Sequence, residues 1–165
     1  MKLYSKTFLA VVAIVLAACT NPGRFDQNGF GAGGPGLGDV RDPTSQAYFQ
    51  QSIGDRVLFE VDQSSLSEQA RQILAAQAVW LTSNSEFSAL IEGHADEQGT
   101  REYNLALGAR RANTVVEFLV SQGVAPGRLQ SVTFGKERPI AICSDESCYV
   151  QNRRAVTVVA ASGVS

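Results

Sequence analysis

From about Asp55 onward the apolar residues alternate between two rhythms, and each switch between them marks the end of an element. The run "RVLFEV", starting at Arg56, is short and rich in β-forming residues and predicts a strand. Ser65 with Glu68 makes a capping-box signature for a helix from about Leu66 to Thr82. Within it Leu66, Ala70, Ile73, Leu74, Gln77 and Leu81 keep helical spacing, which predicts one buried face. "FSALIEGHAD" reads as a second strand. A long helix from about Arg101 to Gln122 turns Ala112, Val115, Val116 and Leu119 inward and ends at Gly123, a natural C′ residue. "RLQSVTFG" and "RAVTVVAA" supply two more strands. The order β-α-β-α-β-β predicts an α/β fold of the α+β sandwich type, with two main helices packed on one face of a mixed four-stranded sheet.

Upstream, neither rhythm is present. "MKLYSKTFLAVVAIVLAAC" has lysines at 2 and 6 and then an unbroken apolar run from Phe8 to Ala18, the n-region and h-region of an export signal. The run is about half the roughly 20 residues that a spanning helix requires. Leu16-Ala17-Ala18-Cys19 resembles a bacterial lipobox, which makes 1–18 a leader and Cys19 the lipid-attachment residue; the alternative is an ordinary signal peptide with a chance cysteine. The resemblance to lipoboxes, in which an aspartate after the cysteine favours inner-membrane retention, implies delivery to the outer membrane for Thr20 after Cys19. Glycine dominates from Asn21 to about Gly38, and residues 19–50 are assigned as a flexible tether ahead of a domain at 51–165. A tether of roughly 30 residues averages about 30 Å end to end and extends to about 100 Å. Gly29, Gly31 and Gly34 formally spell G-x-G-x-x-G, but no strand precedes them and Pro35 follows, so no dinucleotide site is expected.

Composition narrows the classes. Apolar residues make up 44% and charged residues 18%, which is ordinary for a globular domain. The formal charge is −2, from 14 basic and 16 acidic side chains, and it becomes −4 once Lys2 and Lys6 leave with the signal and the new amine is acylated. No basic run is present, so nucleic acid is not an expected partner. Cys143 and Cys148 lie five positions apart ahead of the last strand, and the oxidising compartment favours a disulfide between them over a thiolate metal site. With a single histidine, His94, a four-ligand zinc site would need carboxylates, and no metal or cofactor is expected.

The densest chemistry lies in "GHADEQGTREYN", Gly93 to Asn104. Catalysis is a poor reading of it. Asp96 and Glu97 are adjacent and would point apart on an extended segment, and neither G-x-S-x-G nor H-E-x-x-H occurs. Binding is a better one. Asn104, Gly108 and Arg111 share a helical face with Leu107 beside them, and if that face turns toward Asp96, a carboxylate and a guanidinium line one pocket. Such a pair suits a zwitterion, the guanidinium offering a planar fork to a carboxylate and the aspartate taking an ammonium. The competing arrangement has Asp96 and Arg111 bridging each other or facing solvent.

"GHADEQGTREYNLALGARRANTVVEFL", with "FEVD" upstream and "NRRAV" downstream, resembles the outer-membrane-protein-A-like peptidoglycan-binding domain family over about Asp55 to Val159. The resemblance implies non-covalent binding of the peptidoglycan stem peptide at the zwitterionic end of meso-diaminopimelate. It carries the family's aspartate and arginine onto Asp96 and Arg111, a further aspartate onto Asp62 and an apolar neighbour onto Leu107. Asn104 joins them on the helical face, and Asn152, Arg153 and Arg154 resemble the segment at the pocket's edge, with Arg154 taken as a ligand contact. Gln98, Arg101, Glu60 and Val61 depart from the commonest pattern, and the cysteine pair is an addition to it. The resemblance also implies a place on the periplasmic side of the outer membrane and work with the propeller protein TolB and the inner-membrane protein TolA. Two other classes compete with this reading: a periplasmic protein-protein adaptor with a vestigial pocket, and an enzyme acting on peptidoglycan. A flagellar stator relative would need a true transmembrane helix.

Overall fold

The computed structural model describes residues 38–161, so the leader, Cys19 and most of the glycine-rich segment lie outside the described residues. A short helix, α1 (Gln46–Tyr48), runs on into a π-helical stretch, Phe49–Gly54. There follow β1 (Arg56–Leu58), α2 (Glu68–Ser83), β2 (Phe87–His94), α3 (Arg101–Ser121), β3 (Leu129–Gly135), α4 (Glu146–Asn152) and β4 (Arg154–Ala161). The strands form one sheet in the order β1-β4-β2-β3. β2 runs parallel to β3 and antiparallel to β4, and β4 is antiparallel to β1. This is the expected mixed four-stranded sheet.

Alternation along the strands sorts the two faces. Ala89 and Ile91 of β2 and Ala155 and Val159 of β4 join Leu74, Leu81, Val115 and Leu119 of the helices in one core. The other face is open, with Leu58 45% and Val158 38% exposed. Each fully buried aliphatic side chain contributes about 1.5–3 kcal/mol, so this single layer of helices on sheet carries most of the stability. Gln77, on the inward face predicted for α2, is satisfied there: its amide nitrogen donates to the Gly54 carbonyl at 2.7 Å and its oxygen accepts from Thr157 at 2.8 Å. α3 ends as expected. Gly123 has φ +97°, and Gly123 N–H and Val124 N–H donate back to Val120 and Leu119, a Schellman closure.

Three local features differ from the sequence reading. The cap of α2 is Ser67, whose hydroxyl accepts from Ala70 N–H at 3.1 Å, while Ser65 turns to Gln63; the capping-box spacing to Glu68 pointed to Ser65, but the helix starts two residues later and uses a lone serine cap. The stretch 39–50, counted with the tether, packs into the domain. Phe49 is fully buried with its ring 4.8 Å from that of Trp80, and Trp80 donates its indole N–H to the Pro43 carbonyl at 2.7 Å. The chain from β3 to β4 carries α4, which no apolar periodicity announced.

Candidate functional site

The site is set up by a close approach of two backbones. A Cβ at Gly93 would stand 1.9 Å from the Gly108 carbonyl oxygen, and one at Gly108 would stand 2.4 Å from Thr133 Oγ1. Glycine at both positions therefore lets α3 lie directly on β2. That contact carries the first turns of α3 alongside the segment that leaves β2. The turn between them has Gly99 at φ +90° and Thr100 as N-cap, its hydroxyl accepting from Tyr103 N–H at 3.2 Å.

A cleft of about 220 Å³ opens there, lined by Val61, Asp62, Asp96, Gln98, Gly99, Tyr103, Asn104 and Leu107. Four of the residues singled out by sequence, Asp62, Asp96, Asn104 and Leu107, thus meet in one place. Asp62 holds φ +58°, a left-handed conformation that few side chains tolerate and aspartate tolerates better than most. Asn104, 1% exposed, donates its amide to the Gln98 carbonyl at 2.8 Å and so shapes the floor. Asp96 accepts from Gln98 N–H at 3.1 Å and from Arg153 Nη1 at 3.3 Å.

Arg111 is placed differently from the expectation of a fork open to ligand. It is fully buried behind the cleft wall and donates to three main-chain carbonyls: Gln63 at 2.8 Å, His94 at 2.8 Å and Glu60 at 3.1 Å. Its guanidinium also lies 5.1 Å from the centre of the Phe59 ring. Burial pushes its pKa down to about 10, and Asp96, with Asp62 behind it, acts in the other direction. Arg111 therefore remains charged at neutral pH, clamps the Glu60–Gln63 turn that presents Asp62, and sets a positive charge behind two acidic residues.

Arg154 is a correction. Arg153, the C-cap of α4, and Arg154, the first residue of β4, send their side chains to different places, and it is Arg153 that reaches Asp96. Arg154 donates to the Arg138 carbonyl at 3.1 Å and its charge acts on His94, away from the residues that line the cleft. Asn152 clasps the preceding loop through Ile140 N–H, Ala141 N–H and the Ala141 carbonyl.

Sequence reasoning did not assign Val61, Gln98, Gly99 and Tyr103 to the wall, although the last three lie inside the "GHADEQGTREYN" stretch. Lys136, donating to the Gly99 carbonyl at 2.8 Å, and Tyr149, donating to Glu97 Oε1 at 2.9 Å, brace the same segment from β3 and α4. His94 is 1% exposed, neither ring nitrogen is hydrogen-bonded, the Glu92 carboxylate stands 3.6 Å from Nε2, and burial, followed by Arg154 and Arg138, lowers its pKa to about 4. A neutral, sealed imidazole of this kind is a structural residue. Cys143 and Cys148 are joined as a disulfide with Cα atoms 5.7 Å apart, so neither thiol is free for the metal site weighed against it. Among the described residues no helix is long and apolar enough to cross a membrane.

Comparison with known proteins places these residues in a family. The OmpA family matches residues 58–154. A peptidoglycan-associated lipoprotein of Mesorhizobium japonicum is 47% identical over 162 residues, spanning 94% of this chain and 92% of the relative. One of Agrobacterium fabrum is 46% identical over 153 residues, 93% of this chain and 86% of the relative. The crystal structure of the peptidoglycan-associated lipoprotein from Burkholderia pseudomallei superposes with a TM-score of 0.65 at 38% identity, covering 73% of this chain and 98% of that one. The C-terminal domain of Helicobacter pylori MotB shares the fold alone, with a TM-score of 0.61 at 20% identity over 66% of this chain and 86% of that one.

Proposed function

The chain belongs to the OmpA family, among the peptidoglycan-associated lipoproteins, and on that premise we propose that it is an outer-membrane lipoprotein that binds peptidoglycan non-covalently through the meso-diaminopimelate of the stem peptide. Cys19 carries the lipid anchor, the domain faces the periplasm, and no reaction is catalysed. TolB and TolA are its protein partners in envelope constriction.

The observation that supports this reading is the meeting of Asp62, Asp96, Asn104 and Leu107 in one cleft, in front of the buried cation Arg111. At about 220 Å³ the cleft is smaller than a drug-sized pocket of ~300–1,000 Å³ and suits the end of an amino-acid side chain. The two carboxylates take the ammonium group through charge-assisted bonds, and Leu107 packs against the methylene carbons. The carboxylate end is held by the positive field of Arg111 rather than by an open fork, because three of the five N–H donors of that guanidinium already serve carbonyls.

The test uses the mature chain with Cys19→Ser, which is soluble, and purified diaminopimelate-type sacculi. Wild type is expected to sediment with the sacculi and to release no soluble muropeptide, and the Asp62→Asn, Asp96→Asn double variant is expected to stay in the supernatant while still binding TolB. Equal sedimentation of both forms would refute the site.

A further inference from the structure

The carboxylates at the end of β2 are held from a distant part of the chain. The Cys143–Cys148 disulfide closes a turn in which Asp145 caps α4, its side chain accepting from Ser147 N–H at 2.8 Å. Glu146, the first residue of α4, receives both terminal nitrogens of Arg153, Nη1 at 3.3 Å and Nη2 closer. The same Nη1 reaches Asp96 Oδ2 at 3.3 Å, and Arg153 Nε donates to the Phe59 carbonyl at 3.2 Å. Ser144 and Tyr149, on either side of Glu146, both bond the side chain of Glu97.

Arg153 is thus one buried cation shared by two carboxylates of unlike exposure. The Arg153 side chain is 3% exposed and that of Asp96 9%, whereas that of Glu146 is 66% exposed. Arg153 is held above its ordinary pKa chiefly by Glu146, against the effect of burial, and Asp96 contributes less. A guanidinium that loses one of two anionic partners gives its full charge and its planar fork to the other. Without Glu146, Arg153 would close onto Asp96 and neutralise the group that the cleft offers to an ammonium. A seven-residue helix such as α4 is too short to be stable by itself, so Glu146 is kept in place by ties from outside the helix, the disulfide together with the Tyr149–Glu97 bond and the clasp of Asn152 on the preceding loop.

We propose that Glu146 is a positioning residue for the ligand cleft: by holding Arg153 it leaves Asp96 its negative charge for the ligand's ammonium group, and the Cys143–Cys148 disulfide is one of the ties that keep Glu146 where it can do so. This rests on the peptidoglycan reading above. It also makes binding sensitive to thiol reductant. Two thiols of dithiothreitol supply the two electrons and two protons that convert the disulfide to a pair of cysteine thiols, and the reagent leaves as its cyclic disulfide.

The test is quantitative sedimentation of the mature Cys19→Ser chain with diaminopimelate-type sacculi, oxidised and after dithiothreitol. Glu146→Gln is expected to weaken apparent binding about fivefold, within the range for residues that act through a network, and Glu146→Asp, which keeps the charge, to restore most of it. Reduction is expected to weaken wild type by a similar factor and to leave Glu146→Gln nearly unchanged, because both act on one contact. The melting temperature of Glu146→Gln should stay close to wild type, since the residue is exposed. Wild-type binding by Glu146→Gln, or effects of reduction and substitution that simply multiply, would overturn the inference while leaving the peptidoglycan reading standing. Oxidised wild type that fails to sediment would overturn that reading and this inference with it.

Discussion

Two arginines each gather three main-chain carbonyls, and they do so at opposite ends of β2. Arg128, half-buried, donates to Leu81, Asn84 and Phe87, which join the end of α2 to the start of β2. Arg111, fully buried, donates to Glu60, Gln63 and His94, which join the loop after β1 to the end of β2. In both places a planar cation fixes irregular backbone that no ladder satisfies. The difference lies in what the fixed backbone carries. At the Arg128 end the carbonyls belong largely to a helix C-terminus, where a cation is in its ordinary place. At the Arg111 end the same stretches present Asp62 and Asp96 to a cleft, so a device that elsewhere only closes a loop here positions two acidic groups over a buried positive charge. Rigid backbone is common to both ends, but only at the Arg111 end do two carboxylates line one cleft; at the Arg128 end Glu86 is exposed and stands alone as the acidic residue of 81–87.

The comparison breaks first on stability. Arg111→Ala strips a buried cation from three carbonyls and should cost about 3–5 kcal/mol in urea unfolding, enough to endanger the fold, so loss of binding in that variant is not by itself a test of ligand contact. Arg128→Ala should cost about 1–3 kcal/mol and leave binding unchanged in whatever fraction remains folded. Equal costs for the two would mean that burial does not separate them.

Acid should sharpen the contrast. His94, whose carbonyl Arg111 holds, titrates at about 4 in the folded chain against an ordinary 6.5, so the unfolded state binds its proton first. Its contribution is fully present above pH 6.5 and is lost as pH falls toward 4, by about 3 kcal/mol in all. Amide exchange near Glu60–Gln63 should therefore rise on acidification before that near Leu81–Phe87. His94→Gln should flatten the dependence, and an unchanged slope would place the titrating group elsewhere. A smaller effect tests the scaffold itself. Gly108→Ala drives a methyl group toward Thr133 Oγ1 and the Gly93 backbone, and should cost about 1–3 kcal/mol while moving the first turns of α3 and weakening the cleft end more than the Arg128 end.

The sequence carried α2, α3 and all four strands, with β1 three residues long rather than the six of "RVLFEV", because each is rich in periodic apolar or β-forming residues, and it carried Asp62, Asp96, Asn104 and Leu107 because a family motif and one helical face run through them. What it did not carry depends on chain direction rather than pattern. Arg153 and Arg154 are indistinguishable as neighbours until the junction of α4 with β4 assigns one to Asp96 and buries the other against the Arg138 carbonyl. Arg111 looked like a ligand fork because its partners are carbonyls, which every residue has and no residue type announces. The helix α4 and the stretch that ends in Phe49 are short and mostly polar, and tertiary contacts, not periodicity, make them ordered.

The most direct measurement is the affinity of the soluble mature chain for diaminopimelate-type sacculi with Asp62→Asn beside wild type. Asp62 is exposed and its substitution should change stability by no more than about 0.5 kcal/mol, so the comparison reads the cleft alone. The two-carboxylate cleft predicts at least a tenfold loss, on the order expected for removing one member of a charge-assisted contact. Undiminished binding by a folded Asp62→Asn variant would contradict it.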